Sequence, residues 1–397
     1  MTEERFYQDL LALPGLNVTA VEISQGRITV EGHIEAKATP CPVCGEPTAL
    51  INQYDTRKVQ DLSISGKEVY LHLRIPQLVC TSCPRYFTTV PEWIMPGKSY
   101  TRRQAKWIFD LCAKQPFTEV AALVNLSHKT VERLYYQMAQ EQIDLPRRYG
   151  QVRKLGIDEV AHRKGKRDFV CVLTDLERGI QLDVLPDRKK ATLEAHFEAL
   201  GADFCQQIEL VACDMWSPYR DVAEQCFPNA EVVVDRFHVV KALNAVLDGL
   251  RKRLRRQHSQ EAAFKGIKWL LFKRPEQLSP EERQHLDAAL SKSWLLAEVY
   301  ALRNTFHALF DLATDAAWLE AELAGWMAHA EALKNQYLDG FIKTLRRWLK
   351  PITAYASTGL TNAVTEGLNN YLRYFKRISF GLPKFEHMRL RILMATG

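Results

Sequence analysis

Between residues 154 and 235 the apolar positions come in short runs separated by polar breaks, and their order predicts β-β-β-α-β-α-β. Lys154-Leu-Gly-Ile-Asp158 reads as a short buried strand that ends on a carboxylate. Residues 168–174 and 179–185 are two further apolar runs, joined at 175–179 by a break of hairpin type. Residues 189–200 have helical spacing, with Leu193, Phe197 and Leu200 on one stripe. Residues 208–214 form another strand, which stops on Asp214; residues 217–226 read as a helix and 231–235 as a fifth strand. Carboxylates thus stand at the ends of the first and fourth strands. Such a pair can share a divalent metal, because like charges that close repel unless a cation lies between them.

Other periods govern the flanks. Residues 18–23 and 27–34 read as two strands around a Ser-Gln-Gly turn. Val69, Leu71, Leu73 and Ile75 alternate with Glu68, Tyr70, His72 and Arg74, the period of a half-buried strand, and Ser65-Gly66 before them is a turn. Residues 118–140 read as helix-turn-helix. Thr118 is the expected N-cap, Val120, Ala121 and Val124 face inward, and Asn125-Leu-Ser127 is the turn. The second helix turns Val131, Leu134 and Tyr135 inward. It leaves His128, Lys129, Thr130 and Arg133 outward, where a recognition helix reaches base edges. Residues 145–150 suit a linker. From Lys241 to about Tyr355 the pattern is helical throughout. Residues 361–375 are amphipathic, with Val364, Leu368, Tyr371, Leu372 and Phe375 on an apolar stripe and Asn362, Glu366, Asn370 and Arg373 opposite.

Composition changes this picture little. The 397 residues suggest two to four domains, and 47% hydrophobic with 25% charged residues is ordinary for a soluble globular protein. No apolar run is long enough for a membrane helix, and the N-terminus lacks the order of a signal peptide, so a cytoplasmic location is expected. The net charge of +6 permits a nucleic-acid partner without demanding one. Its densest source is Arg251-Lys-Arg-Leu-Arg-Arg256, either a solvated or a phosphate-tracking face. The basic segment Tyr100–Lys106 beside the helix pair favours DNA contact there. Five tryptophans, Trp269, Trp294, Trp318, Trp326 and Trp348, fall in the helical stretch and are expected mostly in its core.

Spacing matters more than number for the nine cysteines. Cys41-Pro-Val-Cys44 and Cys80-Thr-Ser-Cys83 are paired knuckles whose thiolates can converge on zinc, and a reducing cytosol argues against disulfides. Cys112, Cys171, Cys205, Cys213 and Cys226 lie singly in apolar contexts and read as core filler. A third acid has two candidates. Asp235 ends the fifth strand, but a contact within its own turn, to Arg236 or His238, is sufficient use for it. Glu366 shares a polar helical face with Asn362, Asn370 and Arg373, which can orient a carboxylate and approach phosphates.

Six segments carry a family resemblance: the two knuckles, Gly156-Ile-Asp-Glu159, Cys213-Asp-Met-Trp216, Val234-Asp-Arg-Phe-His-Val-Val-Lys241, and Asn362-Ala-Val-Thr-Glu-Gly-Leu-Asn-Asn370. Together the chain resembles a bacterial insertion-sequence transposase of the DDE class, specifically the ISL-three family. The resemblance implies an α/β multidomain fold. Residues 1–90 would be a β-rich zinc-binding domain and 91–150 a helix-turn-helix. Residues 151–243 and 356–397 would make a ribonuclease-H-like core, interrupted by an all-helical insertion over 244–355. It implies a catalytic triad of Asp158, Asp214 and Glu366 holding Mg2+ or Mn2+, and Cys41, Cys44, Cys80 and Cys83 holding structural Zn2+. Lys129, Thr130, Arg133, Arg251, Arg255 and Arg373 are the expected DNA contacts. The expected partners are double-stranded DNA, as terminal inverted repeats and target, and a second copy in a homodimer, with no membrane. Two other functions remain open: a DNA-binding regulator derived from a transposase, and a nuclease of the same fold that cuts without joining.

Overall fold

The computed structural model describes residues 2–163, 168–359, 363–378 and 384–396. Asn362, at the head of the last motif, lies outside them. The chain divides into two compact units between Gln142 and Ile143.

The first unit opens with α1 (Glu3–Leu11), then β1 (Leu16–Ile23), β2 (Arg27–Ile34), the two-residue strands β3 (Thr39–Pro40) and β4 (Pro47–Thr48), the long hairpin β5 (Ile51–Ile64) and β6 (Lys67–Val79), and β7 (Tyr86–Thr88). The sheet order is β1-β2-β6-β5, with β7 on β6 and β2 parallel to β6. The hairpin turns on Ser65 and Gly66, both at positive φ (51° and 75°), the two-residue geometry that matches strand twist. One sheet face buries Ile28, Val30, Val59, Val69, Leu71, Leu73 and Ile75 under Tyr7 and Leu11. That alternation is the one expected from the sequence.

Three helices follow: α2 (Arg102–Cys112), α3 (Phe117–Leu123) and α4 (His128–Gln142). Val120, Ala121, Val124, Val131, Leu134 and Tyr135 are all buried between them, as expected. Thr118 is not the N-cap of α3; the cap falls two residues earlier, at Pro116, without a side-chain bond. Asn125 takes the positive φ of 51° in the turn, and Ser127 Oγ accepts from Thr130 N–H at 3.1 Å to cap α4.

The second unit begins with α5 (Leu145–Tyr149), where a linker was expected. Asp144 caps it, Tyr149 enters the core, and Arg148 donates to the Gln181 and Leu393 carbonyls, so the segment is fixed. Then come β8 (Lys154–Arg163), β9 (Asp168–Asp175), β10 (Ile180–Leu185), α6 (Lys190–Leu200), α7 (Ala202–Gln207), β11 (Leu210–Cys213), α8 (Ser217–Cys226) and β12 (Glu231–Val234). The order along the sheet is β10-β9-β8-β11-β12. β9 is antiparallel to both neighbours, and β11 is parallel to β8 and β12. β8 does not end at Asp158. Its antiparallel pairing with β9 carries it on to Arg163, whereas β11 stops at Cys213 opposite Ile157. Asp158 is therefore mid-strand, at the point where one neighbour falls away.

Helices α9 (Arg236–Gln257), α10 (Lys268–Phe272), α11 (Pro280–Ser291), α12 (Trp294–Leu312), α13 (Ala316–Ala332), α14 (Gln336–Arg347) and α15 (Leu349–Thr358) build a separate core around Leu243, Leu247, Phe306, Trp326 and Trp348. Trp318 is half-buried, while Trp269 and Trp294 are 66% and 61% exposed, so fewer of the five tryptophans are core than expected. Last come α16 (Ala363–Ile378) and α17 (Phe385–Ala395). Leu372 of α16 and Met388 and Ile392 of α17 pack on Val160, Val170, Val172 and Val184, covering one face of the sheet. Leu193, Phe197, Tyr219 and Val222 of α6 and α8 cover the other. Among the described residues no helix is long and apolar enough to cross a membrane.

Candidate functional site

In the first unit the two knuckles meet. β3 and β4 clasp the first, and the β6–β7 connection carries the second. Sγ of Cys83 lies 3.5 Å from Cys41, 3.3 Å from Cys44 and 3.8 Å from Cys80, and Cys44 lies 3.5 Å from Cys80. Four sulfurs about 2.3 Å from one tetrahedral zinc stand roughly 3.8 Å apart, so the set fits that ion closely. All four thiols are free of disulfides. Backbone N–H groups of Cys44 and Val43 aimed at Cys41 lower its pKa to about 6, favouring the thiolate that ligates metal. Hydrogen bonding to Cys44 and Cys41 pushes Cys83 up to about 12.

On α4, His128, Lys129 and Arg133 are exposed and Thr130 is half-buried. Residues of the basic segment before it also make contacts within the fold. Arg103 Nε donates to the buried Asp61 at 2.8 Å, Arg102 Nε to the Glu92 carbonyl at 2.5 Å, and Lys106 Nζ pairs with Asp110 at 3.0 Å.

In the second unit the acids converge through register. Ile157 pairs with Cys213, and Cys213 with Val234. The next residues, Asp158, Asp214 and Asp235, thus follow the last paired positions of three adjacent strands. Asp158 has its carboxyl pushed up to about 6, first by burial and then by the Asp214 charge. It accepts from Asn369 Nδ2 at 2.5 Å, while Asn369 Oδ1 is buried with no partner among the described residues. Asp214 Oδ1 lies 2.7 Å from His238 Nε2. Burial lowers the His238 pKa, but hydrogen bonding to Asp214 and its charge outweigh that and raise it. Asp235 caps α9 by accepting from Phe237 N–H at 2.7 Å, a structural use within its own turn.

The face that α16 turns to the sheet keeps only part of the expected apolar stripe, with Leu372 in the core. Val364 and Tyr371 are exposed, at 37% and 38%, whereas Thr365 and Asn369 are buried with Leu372. The cause lies in β8. Gly156 leaves a notch in which a Cβ would come within 2.9 Å of Thr365 Oγ1, and the polar Asp158 follows it. Lys376 extends the same line, donating to the Ala161 and His162 carbonyls at 2.5 and 2.8 Å. Glu366, Asn370 and Arg373 are exposed, and Arg373 donates to Asn370 at 2.6 Å. Glu366 precedes Asn369 by three residues, roughly 60° around the helix and one turn closer to its start. Asp158, Asp214 and Glu366 do not form a tight set. Among the described residues only the four cysteines bring three or more such ligand atoms within 4.8 Å of one another.

Arg251 is buried, at 8%, and ion-paired to Asp248 at 2.7 Å, so it lies off the open face. Lys252, Arg253, Arg255 and Arg256 are the exposed members of that run. From the sequence His238 was expected only beside Asp235, whereas it pairs with Asp214, and Asn369 was not singled out. Both sat inside quoted motifs, and each shares a helical turn with a candidate acid.

Comparison with known proteins gives the family. Residues 155–392, well over half of the chain, match a family described as transposase. Residues 37–83 match the zinc-finger of transposase IS204/IS1001/IS1096/IS1165, and 88–137 the helix-turn-helix domain of transposase family ISL3. The transposase for insertion sequence element IS1001 of Bordetella parapertussis is 28% identical over 403 residues, covering 100% of this chain and 98% of the relative. The transposase for insertion sequence element IS1557 of Mycobacterium tuberculosis is 25% identical, covering 85% of this chain and 82% of its own. The chain belongs to the ISL3 family of insertion-sequence transposases.

Proposed function

We propose that this transposase cuts and joins DNA by metal-dependent phosphoryl transfer, with Asp158, Asp214 and Glu366 as the metal-holding acids. The observation that carries the reading is the side-by-side placement of Asp158 and Asp214 where β11 ends, under a helix that bears Glu366. We read the five-stranded sheet as the ribonuclease-H-like core and α9–α15 as its helical insertion. Two half-buried, adjacent carboxylates with an unpaired amide oxygen beside them suit hard divalent cations, Mg2+ or Mn2+. The chemistry supplied by such ions when bound is stabilisation of charge on the attacking and leaving oxygens.

The chain's own residues do the positioning. Asn369 orients the Asp158 carboxylate, and His238 holds Asp214. Asp235 stays with its helix cap. Water is the nucleophile in cleavage and a freed 3′-hydroxyl in joining. Lys129, Thr130 and Arg133 of α4 read the element ends, and the four cysteines hold one structural zinc. Arg255 and Arg373 contact phosphates; the exposed Arg253 and Arg256 suit that task better than Arg251. A homodimer acting on paired ends completes the reading.

A labelled duplex carrying the terminal inverted repeat, incubated with protein and Mg2+ and then with a target plasmid, tests it. Strand cleavage that stops with chelator, followed by joined product, is expected. Cleavage without joining would reduce the protein to a nuclease, and binding without cleavage to a regulator.

A further inference from the structure

The first unit carries a cleft that reaches beyond the helix-turn-helix reading, sharing Thr130 and Arg133 with it and adding residues of the sheet. It has a volume of about 410 Å³ and lies between the outer face of the zinc-bearing sheet and the start of α4. Lys58 of β5, Lys98 of the 97–101 loop and Arg133 of α4 line it, with Thr130, Gly97 and Tyr70. Its lining among the described residues includes three cations and no carboxylate. Glu68, on the same sheet face, is engaged by Arg27 at 3.8 Å.

The walls are fixed to one another. Gln60, 5% exposed, accepts from Thr101 N–H and donates its own N–H to the Ser99 carbonyl, stitching the loop to β5. Its side-chain Nε2 donates to the Val124 carbonyl in the turn before α4, at 3.2 Å. Arg57 donates to the Lys98 carbonyl at 2.7 Å, fixing the backbone beneath that ammonium. Lys58 Nζ sits 4.3 Å over the Tyr70 ring, which holds its charge at the cleft rather than free in solvent. A rigid, cation-lined groove beside a recognition helix fits a polyanion strand. Phosphate contacts of this kind set the register of a helix on DNA without reading sequence.

We infer that this cleft seats the DNA backbone flanking the site read by α4, with Lys58 and Lys98 each neutralising a phosphate. The ligand class is the phosphodiester chain of duplex DNA. The zinc-bearing sheet then contacts DNA directly and fixes how far α4 enters the groove. The inference rests on α4 being a DNA-reading helix.

The experiment measures affinity of the full-length protein for the terminal-repeat duplex across a salt series. The proteins are wild type, Lys58→Gln/Lys98→Gln, Lys58→Arg/Lys98→Arg, and Lys129→Ala/Thr130→Ala. Zinc content confirms that each is folded. Each phosphate contact contributes about 0.9 to the slope of log affinity against log salt, so the glutamine pair should lower the slope by about 2. The arginine pair should restore it. Neutral methylphosphonates placed beside the repeat should weaken wild type and leave the glutamine pair unaffected. An unchanged slope in the glutamine pair, with Lys129→Ala/Thr130→Ala still impaired, overturns the seat and leaves the α4 reading intact. A folded arginine pair no better than glutamine overturns it as well, since charge would not be the cause. Wild type that binds no DNA overturns the α4 reading and the seat together.

Discussion

A carboxylate placed beside another and drawn out of water destabilises a fold unless a cation joins them. Asp158 is such a group, and its stability cost is measurable. At neutral pH the ionised form is the one penalised, because burial and Asp214 favour the protonated carboxyl. Asp158→Asn should therefore raise the melting temperature of metal-free protein, by about 1–2 kcal/mol of stability once partial exposure is discounted. Added Mg2+ should stabilise wild type and leave the variant unmoved, by linkage of binding to folding. A variant less stable than wild type without metal would contradict the site. Asn369 acts through Asp158. Asn369→Leu should keep the fold and DNA binding but cut cleavage about 10–100-fold, the usual effect of losing a group that orients a metal ligand. Full activity in that variant would show the hydrogen bond to be incidental.

At the scale of elements, the knuckles, the β6 alternation and the helix pair were legible because each has a fixed period or spacing. Simultaneous Cys80→Ser and Cys83→Ser should abolish the expected content of about one zinc per chain, and retained zinc would refute the four-sulfur site. Arg103 and Asp61 bind α2 to the sheet through a carboxylate 1% exposed. Arg103→Ala should cost about 1–3 kcal/mol in denaturant unfolding, since it strips a buried charge of its main partner. No local pattern reveals that pair, 42 residues apart in sequence. The same limit explains α16. Its apolar stripe was visible and Leu372 keeps to it, but Thr365 and Asn369 are buried because they fit Gly156 and Asp158, and that choice belongs to the strand beneath it. The exposed Trp269 and Trp294 were misjudged for the same reason: helical position says nothing about which partner covers a side chain. Gly156→Val should push Thr365 away and loosen α16, seen as faster amide exchange over residues 363–378 with the zinc-bearing unit unchanged. Equal exchange would mean that the notch is not what positions the helix.

For the whole molecule, the order of the parts was readable along the chain, whereas convergence was not. Asp158, Asp214 and Asp235 lie in one row only because β8, β11 and β12 run parallel in consecutive register. That row leaves two ways to complete a triad, through Asp235 on the sheet or through Glu366 on α16. Asp235 already accepts the Phe237 N–H as a helix cap, while Glu366 is exposed one turn from the asparagine that touches Asp158. The decisive measurement is cleavage of terminal-repeat DNA, with Mg2+ and then Mn2+, by Asp158→Asn, Asp214→Asn, Asp235→Asn and Glu366→Gln, each checked for fold and DNA binding. The account predicts that the Asp158, Asp214 and Glu366 variants bind DNA yet lose cleavage by orders of magnitude, while the Asp235 variant keeps measurable activity or is lost through α9. Near-normal cleavage by Glu366→Gln, with Asp235→Asn folded but inactive, would contradict it and move the third acid to the end of β12.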